Sequence, residues 1–221
     1  LRKPAFAYEE TTSSGSLKAI ERSGVTRYFV ESNNGRRLGA ASYRVGVFAS
    51  GKSGNFVYGA SITNPERVSS PTSAGNSGYN NQAYYANAGF EGDLSDGSYA
   101  VGAAIAVLPD QGGKTVGAGD DMTAFSFYGN VRTGNLHLMG EYLSAKVDNG
   151  ASATQDATPA GFWLQGAYKF NPKFEGVARF SHLDSDGRGI KISDGVRSAP
   201  SGGTHDKLTE YFLGGIWYIV G

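Results

Sequence analysis

Cysteine is absent from the 221 residues, which excludes a disulfide framework and any thiolate metal site. Net charge is absent too. Twenty lysines and arginines balance 20 aspartates and glutamates, so no bulk field draws the chain toward nucleic acid or an acidic partner. No apolar run approaches the roughly 20 residues of a helical membrane span. Apolar residues make up only 39% of the chain, so hydropathy alone would place it in water. That average misleads for one class of protein. A transmembrane β-barrel alternates lipid-facing with lumen-facing side chains, and each strand averages near neutral.

What the chain does have is rhythm. Nine short stretches alternate apolar and polar residues from Leu38 onward, and the gaps between them alternate in length. A short gap at 51–55 precedes a long one at 65–81; 92–98 precedes 110–121. The tight 133–135 precedes 148–160, and the tight 171–173 precedes 185–206. Tight turns on one rim and long loops on the other are the pattern of an up-and-down barrel in an outer membrane. Greek-key sandwiches mix long and short connections without such alternation. The reading is all-β: a transmembrane antiparallel up-and-down β-barrel, with about nine or ten strands visible and one domain over residues 1–221. Both ends look cut, at Leu1-Arg-Lys-Pro and at Trp217-Tyr-Ile-Val-Gly, so a larger barrel is expected.

Period-two faces follow directly. Phe56, Tyr58, Ala60 and Ile62 share one face, as do Tyr99, Val101, Ala103, Ile105 and Val107. Phe125, Phe127, Gly129 and Val131 oppose Ser126, Tyr128, Asn130 and Arg132. In the last strand Tyr211, Leu213, Gly215 and Trp217 are assigned to lipid, although Phe212, Ile216 and Tyr218 oppose them. Aromatics near the turns, including Phe90, Phe170 and Phe174, suit the interfacial girdles of a barrel.

Residues 1–37 do not alternate. Because 51–55 is a tight turn, this segment approaches the first strand from the long-loop side. It is the candidate for a loop that folds inward and constricts the barrel. Lys18, Arg22, Arg27, Arg36 and Arg37 lie in it, and Arg44, Arg132, Lys169 and Arg179 fall on lumen faces. Arginine and lysine rings favour anions in pores, and guanidinium forks match phosphate oxygens. The expected constriction set is Arg22, Arg27, Arg36, Arg37 and Arg44 with Glu21 as counter-charge. The same residues also read as ordinary charges of a wet lumen, balanced by Glu21, Glu141, Glu175 and Glu210.

Chemistry of other kinds has little support. His137, His182 and His205 lack ligand spacing, so no metal or cofactor is expected. Gly112-Gly-Lys-Thr lacks the full phosphate-loop pattern and does not open a helix. No Gly-x-Ser-x-Gly elbow is present, and catalysis is not expected.

Several motifs resemble one family. Glu9-Glu-Thr-Thr-Ser-Ser, then Ile20-Glu-Arg-Ser, then Arg36-Arg-Leu-Gly resemble the segment that enters a strand after the constriction loop of the phosphate-selective porin O and P family. Gly140-Glu-Tyr-Leu-Ser-Ala-Lys-Val-Asp is similar to a recurrent strand of that family. So are Phe174-Glu-Gly-Val-Ala-Arg-Phe-Ser-His-Leu-Asp and Glu210-Tyr-Phe-Leu-Gly-Gly-Ile-Trp-Tyr. The resemblance implies a sixteen-stranded homotrimeric channel in the outer membrane of a Gram-negative-type envelope. It would be bathed in lipid and lipopolysaccharide and pass small anions such as phosphate. Two other readings stay open: a structural or anchoring barrel without an open channel, and a soluble β-sandwich binding module.

Overall fold

The computed structural model describes residues 2–13, 16–66, 81–114, 120–197, 199–200 and 202–219. Its strands are β1 (Gly46–Ser53), β2 (Phe56–Thr63), β3 (Ala83–Leu94), β4 (Gly97–Leu108) and β5 (Met122–Thr133), followed by β6 (Leu136–Ser152), β7 (Gln155–Ala157), β8 (Ala160–Asn171), β9 (Phe174–Asp184) and β10 (Lys207–Trp217). All pair antiparallel in one sheet that follows chain order, with the short β7 folded back on β6. Strands of 11 or 12 residues suit a membrane crossing, which takes about 9–11 tilted residues.

Two-residue turns join four hairpins on one rim, where Ser53 faces Phe56, Leu94 faces Gly97, Thr133 faces Leu136 and Asn171 faces Phe174. Gly54 and Gly134 open two of these turns with φ of 58° and 52°, a region that L side chains enter only at a cost. Connections on the opposite rim are long. Residues 67–80 and 115–119 of the expected loops lie outside the described residues. The expected loop at 148–160 is corrected in part. β6 runs on to Ser152 and returns as β7, so that connection is a hairpin rising beyond the wall.

The two faces of the sheet separate as the alternation requires. Val47, Tyr211, Leu213 and Trp217 are 77%, 79%, 84% and 68% exposed, and Phe56, Phe90, Phe127 and Leu164 also stand outward. A sandwich would bury such a face, and water would not tolerate so broad an apolar surface. Its solvent is hydrocarbon. The inner face carries Tyr85, Ala106, Met122, Leu143, Trp163 and Leu183, all buried. Among the described residues, no helix is long and apolar enough to cross a membrane.

The inner face is buried by residues 2–45. This segment holds α1 (Tyr8–Thr11) and α2 (Gly24–Val30), and its start and end are joined by a bridge between Arg2 and Arg44 just ahead of β1. Phe6, Val25, Tyr28, Phe29 and Leu38 pack from the segment into the core made by the wall. Ser23 caps α2, its hydroxyl accepting from the Thr26 amide at 3.1 Å. A third short helix, α3 (Ile192–Gly195), lies in the connection before β10 and packs on α2.

Candidate pore-lining site

The inward segment is bolted to the wall at two helix N-termini. At α1, Glu141 of β6 accepts from the Tyr8 amide at 2.6 Å and the Glu9 amide at 3.2 Å, while Ser126 of β5 donates to it at 2.6 Å. At α2, Glu210 of β10 accepts from the Gly24 amide at 2.9 Å. Carboxylates belong at these ends, where unpaired amides and the helix dipole favour negative charge.

Arg179 of β9 joins the two anchors. Its guanidinium donates to Glu210 at 2.6 Å, to the Glu21 carbonyl at 2.7 Å and to Glu9 at 3.4 Å, and it lies over the Phe212 ring. Glu9 also accepts from the Ser23 amide and, at 2.8 Å, from the Ser23 hydroxyl. Burial pushes the Glu9 carboxyl above its ordinary value, and the attraction of Arg179 only partly offsets that.

Above this lock the segment presents charge to open space. A cavity of about 640 Å³ is lined by Lys3, Glu10, Glu21, Arg22, Arg27 and Arg197, among others. It adjoins one of about 510 Å³ that includes Glu31 and Arg37. Glu10 sits between Lys3 at 2.5 Å and Arg22 at 3.0 Å. Glu31 is shared by Arg27 at 3.0 Å, Arg37 at 2.6 Å and Arg197 at 2.9 Å. Burial alone would raise the Glu31 carboxyl, but the three guanidinium groups outweigh it and hold it below the ordinary range.

A second group lies toward the tight-turn rim. Lys18 pairs with Glu175 at 2.9 Å, the Tyr218 hydroxyl donates to the same carboxylate at 2.6 Å, and Lys169 lies 5.2 Å from the Tyr218 ring centre. Burial opposes the charge on Lys18, but its bonds to Glu175 and Tyr218 hold its pKa above the ordinary value. Lys18, Tyr218 and the exposed Arg132 line a cavity of about 860 Å³ there.

The expected constriction residues therefore divide. Arg22 and Arg37 line the charged cavities; Arg27 borders them but is 5% exposed, its guanidinium held by Glu31 and by the Gly195 carbonyl at 2.7 Å. Arg36 is drawn aside to Asp194 at 2.7 Å, and this pairing holds Asp194 below its ordinary range despite burial. Arg44 is a correction. It is 2% exposed and donates to the Gly39 carbonyl at 2.6 Å and to Gln111, so it fastens the segment and cannot meet a solute. Arg179, at 3% exposed, is buried in the same way.

Glu21 lines the first cavity beside Arg22, but no ion pair of its carboxylate is found among the described residues. It meets Arg179 through its main-chain carbonyl, and the carboxylates that neutralise the arginines are Glu9, Glu10, Glu31, Asp194 and Glu210. Sequence reasoning passed over Lys3 and Arg197 as cations of the cavity, and over Arg188. Arg188 is fully buried and donates to the carbonyls of Arg36, Gly113 and Gly150, drawing three connections of the long-loop rim together. No periodic signal marks these three, because they lie outside regular elements.

The family model described as phosphate-selective porin O and P matches residues 2–220. No curated protein matches the chain, and no solved structure does. With a single antiparallel up-and-down sheet, an outward apolar face and an inward charged segment already in view, the conclusion is plain: the chain belongs to the phosphate-selective porin O and P family and is an outer-membrane β-barrel channel protein.

Proposed function

We propose that the channel passes small anions by passive diffusion and that phosphate is among them, with the inward segment over residues 1–37 as its constriction. The observation that carries this is the charge of the segment's open surface. Lys3, Arg22 and Arg37 of the segment, joined by the exposed Arg197 of the connection before β10, gather around two shared carboxylates, Glu10 and Glu31, with Glu21 nearby and the buried Arg27 paired to Glu31. Cations in excess at a narrow, water-filled place lower the entry cost for an anion and raise it for a cation. The guanidinium fork also suits the oxygens of a phosphate.

Lys18, Arg132 and Lys169 form the remaining part of the proposed pathway, near the tight-turn rim. Arg36, Arg44 and Arg179 act as positioning residues that fix the segment. Assembly as a homotrimer within a lipopolysaccharide-bearing membrane is part of the same proposal and rests on the family alone.

Planar-bilayer conductance under a salt gradient, with phosphate added, tests the reading. Stepwise openings with an anion-signed reversal potential and block by phosphate are expected. Cation-signed openings would leave a porin but remove the anion role. A folded barrel that never opens would favour an anchoring function with the segment as a permanent plug.

A further inference from the structure

The lipid-facing wall is not uniformly studded with side chains. Gly129 of β5 lies directly opposite Gly140 of β6 in the ladder, and Gly166 of β8 lies opposite Leu138 one row nearer the turn. Leu164 lies over Gly140 and Leu138 reaches the Gly166 position, while the space above Gly129 stays open in a recess of about 870 Å³ in the outer face. One side is a row of large rings, Phe127 opposite Tyr142 opposite Phe162; the other is Val131 opposite Leu138. A Cβ added at Gly129 would meet nothing within 4 Å, so the floor there is open. The floor is strand backbone whose amides and carbonyls are spent in the ladder, so it presents no hydrogen-bond demand.

We propose that this recess is a binding groove for an acyl chain of a glycerophospholipid. The inference rests on the outer-membrane placement of the chain and not on its anion selectivity. The recess is continuous with the surface that fronts the bilayer, where neither water nor a vacuum is a stable filling. A flexible methylene chain fills a notch between rings and branched side chains without asking for polar contacts.

Depth selects the leaflet. Gly129 lies four residues before the end of β5, and Gly140 four residues after the start of β6. At the usual rise and tilt this is about 10 Å below the tight-turn rim, inside the nearer leaflet. Short turns of outer-membrane barrels face the periplasm, which makes the donor a phospholipid of that leaflet. Tyr99 stands in the row of Val131, toward the turns, with Asn55 donating to its hydroxyl at 3.5 Å, so its phenol sits where the headgroup would lie.

The test places the folded protein in phosphatidylethanolamine–phosphatidylglycerol vesicles whose acyl chains carry a photoactivatable diazirine. Cross-linked peptides are then mapped by mass spectrometry. Labelling of 127–131 and 138–142 several-fold above that of the more exposed Tyr211 and Leu213 is expected. Gly129→Phe, which fills the floor, should remove the excess, and Gly129→Leu serves if the Phe variant does not fold. Labelling proportional to exposure and unchanged by either variant would mean ordinary annular lipid only and would overturn the proposal. So would protection of the groove, with a loss of oligomer mass in the variants, because a second copy of the chain would then be its occupant. Absence of labelling anywhere on the outer face would instead count against the membrane placement itself.

Discussion

The Glu141 carboxylate lies 2.6 Å from the Tyr8 amide, a bond that spans 133 positions of sequence and joins a wall strand to the first helix of the inward segment. Removing it as Glu141→Ala strands the Tyr8 and Glu9 amides and the Ser126 hydroxyl in a buried place. Each unsatisfied group costs about 1–3 kcal/mol. The segment should loosen while the sheet persists. Single-channel records of Glu141→Ala should show noisier openings than those of Glu141→Gln, which keeps an acceptor.

Arg179 is the stronger anchor. Arg179→Met leaves Glu9 and Glu210 buried without their cation, a loss of about 3–5 kcal/mol for a broken buried pair. Urea unfolding of the purified barrel should register it. Adding Glu9→Gln to the same chain should recover part of the loss, since one of the stranded charges is then gone.

Arg197 offers a cleaner probe of selectivity, because its side chain is 73% exposed and its replacement disturbs no core. Arg197→Glu changes the charge beside Glu31 by two negative units, the same sign as the proposed permeant ion. The anion-to-cation permeability ratio should fall several-fold, with thermal stability unchanged.

Acid should act in the opposite sense through Glu31. Its carboxyl is held below the ordinary value, so its pairing contributes fully above about pH 4.3 and is lost as pH falls through the depressed value. Once it is protonated, Arg27, Arg37 and Arg197 keep their charge unopposed. The reversal potential should therefore become more anion-signed only as pH falls below about 4.3 and through the depressed value, and this drift should be smaller in Glu31→Gln.

Gly39 has φ of 68°, and a Cβ there would run into the Glu66 carboxylate. Glu66 accepts from the Asn33 amide at 3.1 Å, and Arg44 donates to the Gly39 carbonyl at 2.6 Å. Gly39→Ala should cost at least about 1–2 kcal/mol from the left-handed backbone alone, read as a lowered unfolding midpoint.

The wall was legible because its determinants are local. Alternation decides which way Phe127 or Trp217 points, and Gly134-Asn makes a two-residue turn whatever surrounds it. β10 illustrates the margin. Phe212 and Ile216 blur its apolar contrast, yet Tyr211, Leu213 and Trp217 do face outward, because Glu210 must reach Arg179 on the inner side. The charged site was less legible. Which carboxylate meets which arginine depends on contacts between residues more than 150 positions apart, as between Arg179 and Glu9. Glu9 and Glu10 stood in a recognised motif, but Glu21 looked equally suitable, and nothing in spacing separates a side chain from a carbonyl as the partner. Arg44 alternates like a lumen residue and does face inward, but the segment folded over it and removed it from solvent.

The separations also carry a kinetic meaning. Each hairpin of the wall joins neighbours through two residues and can close early, whereas the inward segment is translated ahead of β1 and finds its anchors on β6, β9 and β10. It must wait for them. The amides of Tyr8 and Gly24 should therefore gain protection from hydrogen exchange after those of β3 to β6. The proposed selectivity should thus be the last property this chain acquires as it matures.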